Sequence, residues 1–111
     1  MNKVTIDDVD FKKGGGLVPV VTRDNSTGKV LMLAYANRNA LQHTIDTGFA
    51  HYFSRSRSKL WKKGEESGHL QRVTGIRVDC DRDALVYDVD QTGPVCHTGN
   101  ETCFFSEVQG V

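Results

Sequence analysis

Residues 17–35 read LVPVVTRDNSTGKVLMLAY, which is two apolar runs on either side of a polar turn. The turn, residues 24–28, consists of residue types that favour turns through side-chain hydrogen bonds or positive φ. Two such runs around such a turn predict a β-hairpin. Pro19 has no backbone N–H to donate to a neighbouring strand, so we expect the first strand to lie at a sheet edge.

The segment after the hairpin changes to a helical period. Residues suited to burial recur at i, i+1, i+4 and i+5, namely Ala40, Leu41, Thr44 and Ile45. Asn37 can cap the N-terminus of a helix, and Gly48 suits the position just past its C-terminus. This pattern predicts a helix from Arg38 to Thr47.

The rest of the chain predicts short strands and long loops. The strands are expected at Phe49 to Ser54, Val73 to Val78, Ala84 to Val89 and Cys103 to Val108. Residues 55–70 are polar and basic and predict a long loop of the kind that often carries function. Residues 1–16 end in three glycines and predict a flexible lead-in. We therefore expect one β-rich α+β domain, residues 1–111, with a single short helix.

Composition limits the function classes. The 14 Lys and Arg residues balance the 14 Asp and Glu residues, which argues against nucleic acid or an anionic membrane as the partner. No apolar stretch approaches the roughly 20 residues of a membrane span, and the N-terminus lacks the apolar segment of a secretory signal. We expect a cytoplasmic protein whose cysteines stay reduced.

Three cysteines stand among polar neighbours: Cys80, Cys96 and Cys103. An odd number of cysteines cannot all form disulfide bonds within one chain. Three is also the usual number of protein ligands of a catalytic zinc. No pair has the CxxC spacing of a structural zinc site, and free cysteines are often small buried hydrophobic residues. Spacing alone leaves both interpretations open.

Three carboxylates surround the first cysteine. Asp79, Asp81 and Asp83 lie within five residues, and hard oxygen ligands at this spacing suit Mg²⁺. The sixth position is Ala84 where a calcium loop of the EF-hand type needs glycine. The alternative is that the three aspartates form a solvated turn that binds no metal.

Residues 54–63 interleave hydroxyl and basic groups around a single tryptophan. Arg55, Arg57 and Lys59 suit phosphate, and Trp61 suits stacking on a base. The pattern is typical of a nucleotide-phosphate loop or of a single-strand nucleic-acid platform. The alternative is a solvated basic loop with Trp61 in the core.

Two histidines are candidate general bases. His97 directly follows Cys96 on a loop restricted by Pro94, and His69 ends the basic region. An unperturbed histidine pKa of about 6.5 suits proton transfer near neutral pH. An exposed histidine with no chemical role is the alternative in both cases.

Four blocks of sequence, in order, closely resemble the phosphoribosyl-AMP cyclohydrolase family. They are YFSRSRSKLWKKGEESGH (52–69), DCDRDAL (79–85), QTGPVCHTG (91–99) and CFF (103–105). The resemblance runs from about Leu31 to Phe105. Since the chain ends soon after the last block, it resembles the monofunctional form without a fused pyrophosphohydrolase domain.

The resemblance implies a set of metals and a quaternary structure. Cys80, Cys96 and Cys103 would hold one Zn²⁺ per subunit, and Asp79 with its two neighbouring aspartates would hold Mg²⁺. The fold implied is a folded, pseudobarrel-like mixed sheet in an intertwined homodimer. Zinc ligands would come from both chains, with Cys80 of one subunit beside the other two cysteines of its partner.

The resemblance also implies the reaction. A zinc-activated water would hydrolyse the N1–C6 bond of the adenine ring of phosphoribosyl-AMP, giving the phosphoribosylformimino-aminoimidazole-carboxamide ribotide in the third step of L-histidine biosynthesis. His97 is the expected base and His69 the second choice. Arg55, Arg57 and Lys59 would hold phosphate.

Two other function classes compete with this one. A zinc nucleobase deaminase needs H-x-E and P-C-x-x-C, and the chain has no H-x-E. A non-catalytic zinc module that binds RNA or protein would complete its metal coordination with a fourth ligand such as His97. It would also be expected to carry a positive net charge, whereas the net charge of this chain is zero.

Overall fold

A four-stranded mixed sheet, a two-stranded hairpin and one α-helix form the fold of residues 3–111, the part of the chain that the computed structural model describes. The elements are β1 (Val18–Asp24), β2 (Val30–Ala36), α1 (Arg38–Thr47), β3 (His51–Ser54), β4 (Lys59–Lys62), β5 (Gln71–Val78) and β6 (Leu85–Gln91). The predicted α+β class is confirmed. None of the helices in this part of the chain is long and apolar enough to cross a membrane.

The large sheet has the strand order β2-β1-β6-β5. The predicted hairpin is confirmed, since β1 pairs antiparallel with β2. On its other side β1 pairs parallel with β6, so the expectation that Pro19 marks an edge strand is wrong. The ladder to β6 begins at Val20, one residue after Pro19, so the missing N–H interrupts no bond there.

The predicted helix is confirmed at both ends. The Asn37 side chain accepts a hydrogen bond from the Ala40 N–H at 2.8 Å, and Gly48 ends the helix at φ +79°. Ala40, Leu41 and Thr44 are buried against the sheet. Ile45, expected on the same face, is half exposed.

Three segments differ from the sequence-based expectations. Residues 103–108 contain no strand, and the predicted loop 55–70 contains β4, which pairs with β3. The described part of the predicted flexible lead-in forms two short 3₁₀ turns, Ile6–Asp8 and Lys12–Gly14. Three apolar residues of that segment, Ile6, Val9 and Phe11, pack against the core and offset the entropy of ordering it.

A polar network inside the core joins side chains from β1, β3 and β5. The Tyr52 hydroxyl is 2.6 Å from Thr22 Oγ1 and donates to Gln71 Oε1 at 2.6 Å, and all three side chains are fully buried. Gln71 donates in turn to Met32 Sδ at 3.4 Å. Burial raises the pKa of Tyr52 far above its ordinary value, so the hydroxyl stays protonated and keeps both bonds.

Removing this hydroxyl should destabilise the fold. Tyr52→Phe leaves the buried oxygen of Gln71 without its donor, at a cost of about 1–3 kcal/mol in the free energy of unfolding. Tyr87→Phe is the matched control, because the Tyr87 hydroxyl makes only longer contacts of 3.3 Å and 3.4 Å. Urea unfolding should show the larger loss for Tyr52→Phe, and equal losses would contradict this role of the network.

Candidate functional site

The predicted metal ligands, together with His97, form two groups that lie at opposite ends of β6. The aspartates and Cys80 lie in the turn that leads into β6, whereas Cys96, His97 and Cys103 follow its last residue. A seven-residue strand is roughly 20 Å long. The strand therefore separates the two groups within one chain.

The carboxylates of Asp79, Asp81 and Asp83 converge, with one oxygen from each within 4.8 Å of the others. The turn geometry explains this convergence. Asp79 Oδ1 accepts the N–H groups of Asp83 at 3.0 Å and Ala84 at 3.2 Å, and Arg82 adopts a left-handed conformation at φ +67°. Among residues 3–111, no other group of three or more potential metal ligands lies so close together.

Lys13 places its ammonium group in this carboxylate cluster. Its Nζ is 2.9 Å from Asp83 Oδ2 and 3.4 Å from Asp81 Oδ2. The bond to Lys13 lowers the pKa of Asp83, and the bonds to the aspartates raise the pKa of Lys13. Hydrogen bonding with Asp83 raises the pKa of Asp81. The backbone bond from Asp10 N–H to Arg82 O, at 2.7 Å, docks the N-terminal segment on the same turn.

The thiols of Cys96 and Cys103 lie close enough to each other that each one affects the pKa of the other. The Thr98 hydroxyl donates to Cys96 Sγ at 3.1 Å and lowers the pKa of that thiol, while burial raises the pKa of Cys103. Cys103 is held by its N–H, which donates to Leu31 O at 2.8 Å. Cys80 is exposed at the other end of β6, so the three thiols do not converge within the described chain.

The two candidate histidines differ in their surroundings. His97 is exposed, and its ring has no hydrogen-bond partner among residues 3–111. His69 is half-buried and lies against Gly93, where an added Cβ would come within 2.6 Å of the His69 ring. His69 is thus held at the base of the cysteine loop (residues 92–103), while His97 is free to turn towards a ligand.

The β3–β4 hairpin divides the predicted phosphate residues between two grooves. Arg57, Lys59 and Trp61 line a groove of about 480 Å³, whose lining also includes Glu65 and Glu66. Arg55 lines a second groove of about 570 Å³. There its guanidinium lies 3.9 Å from the centre of the Tyr35 ring.

Trp61 packs against the core and also borders the grooves. Its ring packs on the buried Tyr52 ring, with 4.9 Å between centroids. The residue is nevertheless only half-buried and lines both grooves. One face is therefore part of the core packing while the rest stays accessible.

Comparison with known proteins identifies the family. A sequence model of phosphoribosyl-AMP cyclohydrolase matches residues 32–105. A phosphoribosyl-AMP cyclohydrolase of Methanoregula boonei is 60% identical over 97 residues, which is 87% of this chain and 79% of that protein. One from Archaeoglobus fulgidus is 62% identical over 95 residues, covering 86% of this chain and 88% of the relative.

The chain belongs to the phosphoribosyl-AMP cyclohydrolase family. It is therefore an enzyme, a hydrolase that acts on a C–N bond, which excludes the deaminase and the non-catalytic module considered above. A histidine biosynthesis bifunctional protein HisIE of Aquifex aeolicus is 56% identical over 86% of the chain, and this match covers 47% of that longer protein.

Sequence reasoning missed one residue of the candidate site. Lys63 donates from Nζ to Val95 O at 2.7 Å and lines the groove with Arg57 and Lys59. The sequence indicates Lys63 only by its position in the basic segment, and Lys62 lies in the same segment. Only the fold shows which of the two ammonium groups reaches the cysteine loop.

The thiol of Cys96 in this cyclohydrolase should ionise at lower pH than an ordinary cysteine. Thr98→Val removes the hydroxyl that donates to its sulfur, so the pKa of Cys96 should rise. Alkylation rates of metal-free protein, followed by mass spectrometry of the Cys96 peptide, should show the half-maximal rate at a higher pH.

Thr102→Val is the control for this measurement. The Thr102 hydroxyl donates to the carbonyl oxygens of Val30 and Leu31 rather than to sulfur. The pH dependence of Cys96 alkylation should be unchanged in this variant. An unshifted profile in Thr98→Val would show that the hydroxyl does not set the thiol pKa.

Proposed function

We propose that this protein hydrolyses the N1–C6 bond of the adenine ring of phosphoribosyl-AMP, as the third step of histidine biosynthesis. The observation that carries the proposal is the position of the Cys96–Cys103 pair beside a basic groove, joined to it by Lys63. A thiol pair at the edge of a phosphate-sized basic groove suits a metal-assisted reaction on a nucleotide. The name of the Aquifex aeolicus relative supports the pathway.

The donor set at the cysteine loop fits zinc. Cys96 and Cys103 provide two adjacent soft ligands, and the lowered pKa of Cys96 favours the thiolate form that binds metal. We propose that Cys80 of a second copy supplies the third ligand in an intertwined homodimer, because Cys80 is exposed and remote from the pair. Bound Zn²⁺ would supply Lewis acidity that makes water nucleophilic near neutral pH.

The exposed apolar surface near the cysteine loop supports the dimer. Phe104 and Phe105 are 58% and 53% exposed directly after Cys103, and Leu33 on β2 is 47% exposed. Exposed large apolar side chains are typical of protein–protein contact surfaces when they lie side by side. Covering them with a second copy would remove this apolar area from water, which favours the intertwined homodimer that the family resemblance implies.

The aspartate cluster fits Mg²⁺ by its donor chemistry. Three carboxylate oxygens within 4.8 Å suit a hard divalent cation, and the Lys13 ammonium already neutralises part of their charge. We propose that Asp79, Asp81 and Asp83 bind Mg²⁺ in place of this ammonium. The ion would then help to hold a substrate phosphate.

The other residues bind the substrate and move protons. Arg57 and Lys59 hold one phosphate in the first groove, and Arg55 beside Tyr35 holds the other in the second groove. Trp61 stacks on the purine from its position between the two grooves. Water adds its oxygen to C6, the N1–C6 bond breaks, and C6 becomes the carboxamide carbon.

The proton of the attacking water needs an acceptor. A ring nitrogen of His97 takes it and returns a proton to the departing N1, because this side chain is exposed and without a competing partner in the described chain. His69, held against Gly93, is the second candidate for this role.

The free thiols of all three cysteines suit a reducing cytoplasm.

Turnover of phosphoribosyl-AMP, followed by ultraviolet absorbance as the purine ring opens, tests the proposal. We expect zinc-dependent turnover by the wild-type protein and loss of both zinc and activity in Cys103→Ser. His97→Ala should keep zinc but lose about 10²–10⁴-fold in kcat. The loss of kcat in His69→Ala should be smaller than the loss in His97→Ala.

Two results would count against this mechanism. Full activity in zinc-free protein would remove the metal from the reaction. An unchanged kcat in His97→Ala, with a large loss in His69→Ala, would transfer the proton-accepting role to His69.

Mixing two inactive variants tests whether each zinc site is built from two chains. Cys80→Ser and Cys103→Ser homodimers should both be inactive. In a heterodimer, one of the two sites has all three cysteines, so mixing should restore zinc binding and up to about half of the activity per heterodimer. Mixing Cys96→Ser with Cys103→Ser is the control and should restore nothing, because no site then has both loop thiols.

A further inference from the structure

The segment that carries Cys96 is held by few contacts. After β6 the described chain has neither helix nor strand, and within residues 92–103 the one buried side chain is that of Val95. Backbone bonds anchor the two ends of this cysteine loop, from Thr92 N–H to Leu70 O at 3.0 Å and from Cys103 N–H to Leu31 O at 2.8 Å.

Between these anchors, Lys63 makes the one hydrogen bond that joins residues 93–100 to the rest of the described chain, whereas Glu101 and Thr102, next to the second anchor, bond to Lys29 and to the carbonyls of Val30 and Leu31. Lys63 Nζ donates to Val95 O at 2.7 Å, and elsewhere in residues 93–100 the hydrogen bonds of the described chain stay inside the loop. The Val95 carbonyl belongs to the peptide whose nitrogen is that of Cys96. A bond at this oxygen therefore fixes the orientation of the peptide plane from which the Cys96 side chain begins.

Lys63 is itself well anchored. It directly follows β4, and its N–H donates to Ala50 O at 3.1 Å, next to β3. Its ammonium is half-buried and lies 6.0 Å from the centre of the Trp61 ring, at the wall of the basic groove. The bond to Val95 uses one of its three donors, which leaves two for an anion in the groove.

We propose that Lys63 is a positioning residue that sets the cysteine loop against the basic groove and so links phosphate binding to the metal site. This inference rests on the proposed function. Groups that orient metal ligands without touching the metal typically change metal affinity by about 10–100-fold when they are removed. Lys63 is such a group for Cys96, acting through the Val95 carbonyl.

Lys62 provides a matched comparison on the same hairpin. It lines the same groove and carries the same charge, but its Nζ lies 5.0 Å from the centre of the Phe49 ring and makes no hydrogen bond to the cysteine loop. Lys62→Met and Lys63→Met therefore remove the same charge from the groove. Only Lys63→Met removes the bond to Val95.

The experiment measures affinity for Zn²⁺ by chelator competition, thiolate-to-metal bands with Co²⁺ as the probe, and kcat and KM for phosphoribosyl-AMP. Lys63→Met should bind Zn²⁺ about 10–100-fold more weakly, shift the Co²⁺ bands and lower kcat. Lys62→Met should raise KM and leave zinc affinity and bands as in the wild type. Lys63→Arg, which keeps a charged donor, should recover most of the zinc affinity.

Equal zinc affinity in Lys63→Met and Lys62→Met would overturn the proposal, and so would a Lys63→Arg protein as weak as Lys63→Met. The melting temperature of each metal-free variant separates loop positioning from general destabilisation. If Lys63→Met does not fold, Lys63→Gln is measured in its place by the same criteria. Because metal affinity is read without turnover, failure of this proposal is distinguishable from failure of the proposed reaction.

Discussion

The parallel pairing of β1 with β6 is the constraint on which the rest of the structure depends. It joins residues 20–24 to residues 85–89 and places both strands in the middle of the sheet. Strands so far apart in sequence lose much chain entropy on pairing, which the buried Val20, Leu85 and Tyr87 offset by the apolar surface they remove from water. Once β6 is fixed, the turn before it and the cysteine loop after it must lie at opposite ends of the sheet.

This separation organises the electrostatics of the molecule. The acidic turn at the start of β6 forms ion pairs with Lys13 of the N-terminal segment, and the loop that carries the thiols beyond its end is bound by Lys63 through the Val95 carbonyl. Each cluster thus has a cationic partner from a remote part of the chain. If a second copy completes the zinc site, metal affinity becomes linked to subunit association, and dilution alone will release zinc.

Local signals made much of the fold predictable. The helix from Arg38 to Thr47 carries its own cap residues, and the β1–β2 hairpin carries its own turn, so neighbouring residues suffice to specify them. The expectation for Pro19 failed because it depended on which strand lies beside β1, and that strand comes some 65 positions later. The strand expected at Cys103 to Val108 is wrong because the bond from Cys103 N–H to Leu31 O is not followed by further backbone bonds along β2, so no ladder forms.

The candidate site was predictable in its chemistry but not in its arrangement. Residue types and family resemblance indicated the cysteines, the aspartates and the basic segment. They could not show that Arg55 and Arg57 lie in different grooves, nor that Lys13 reaches Asp83 across 70 positions. Such contacts depend on the relative placement of remote segments.

The position of Trp61 has a practical consequence. It is the single tryptophan of the chain, it borders both grooves, and its ring packs on the buried, hydrogen-bonded Tyr52 ring. The core side of the indole keeps these contacts, so a ligand in a groove changes the environment of the groove side. Intrinsic fluorescence excited at the indole band becomes an optical reporter of groove occupancy that needs no label and no catalytic turnover.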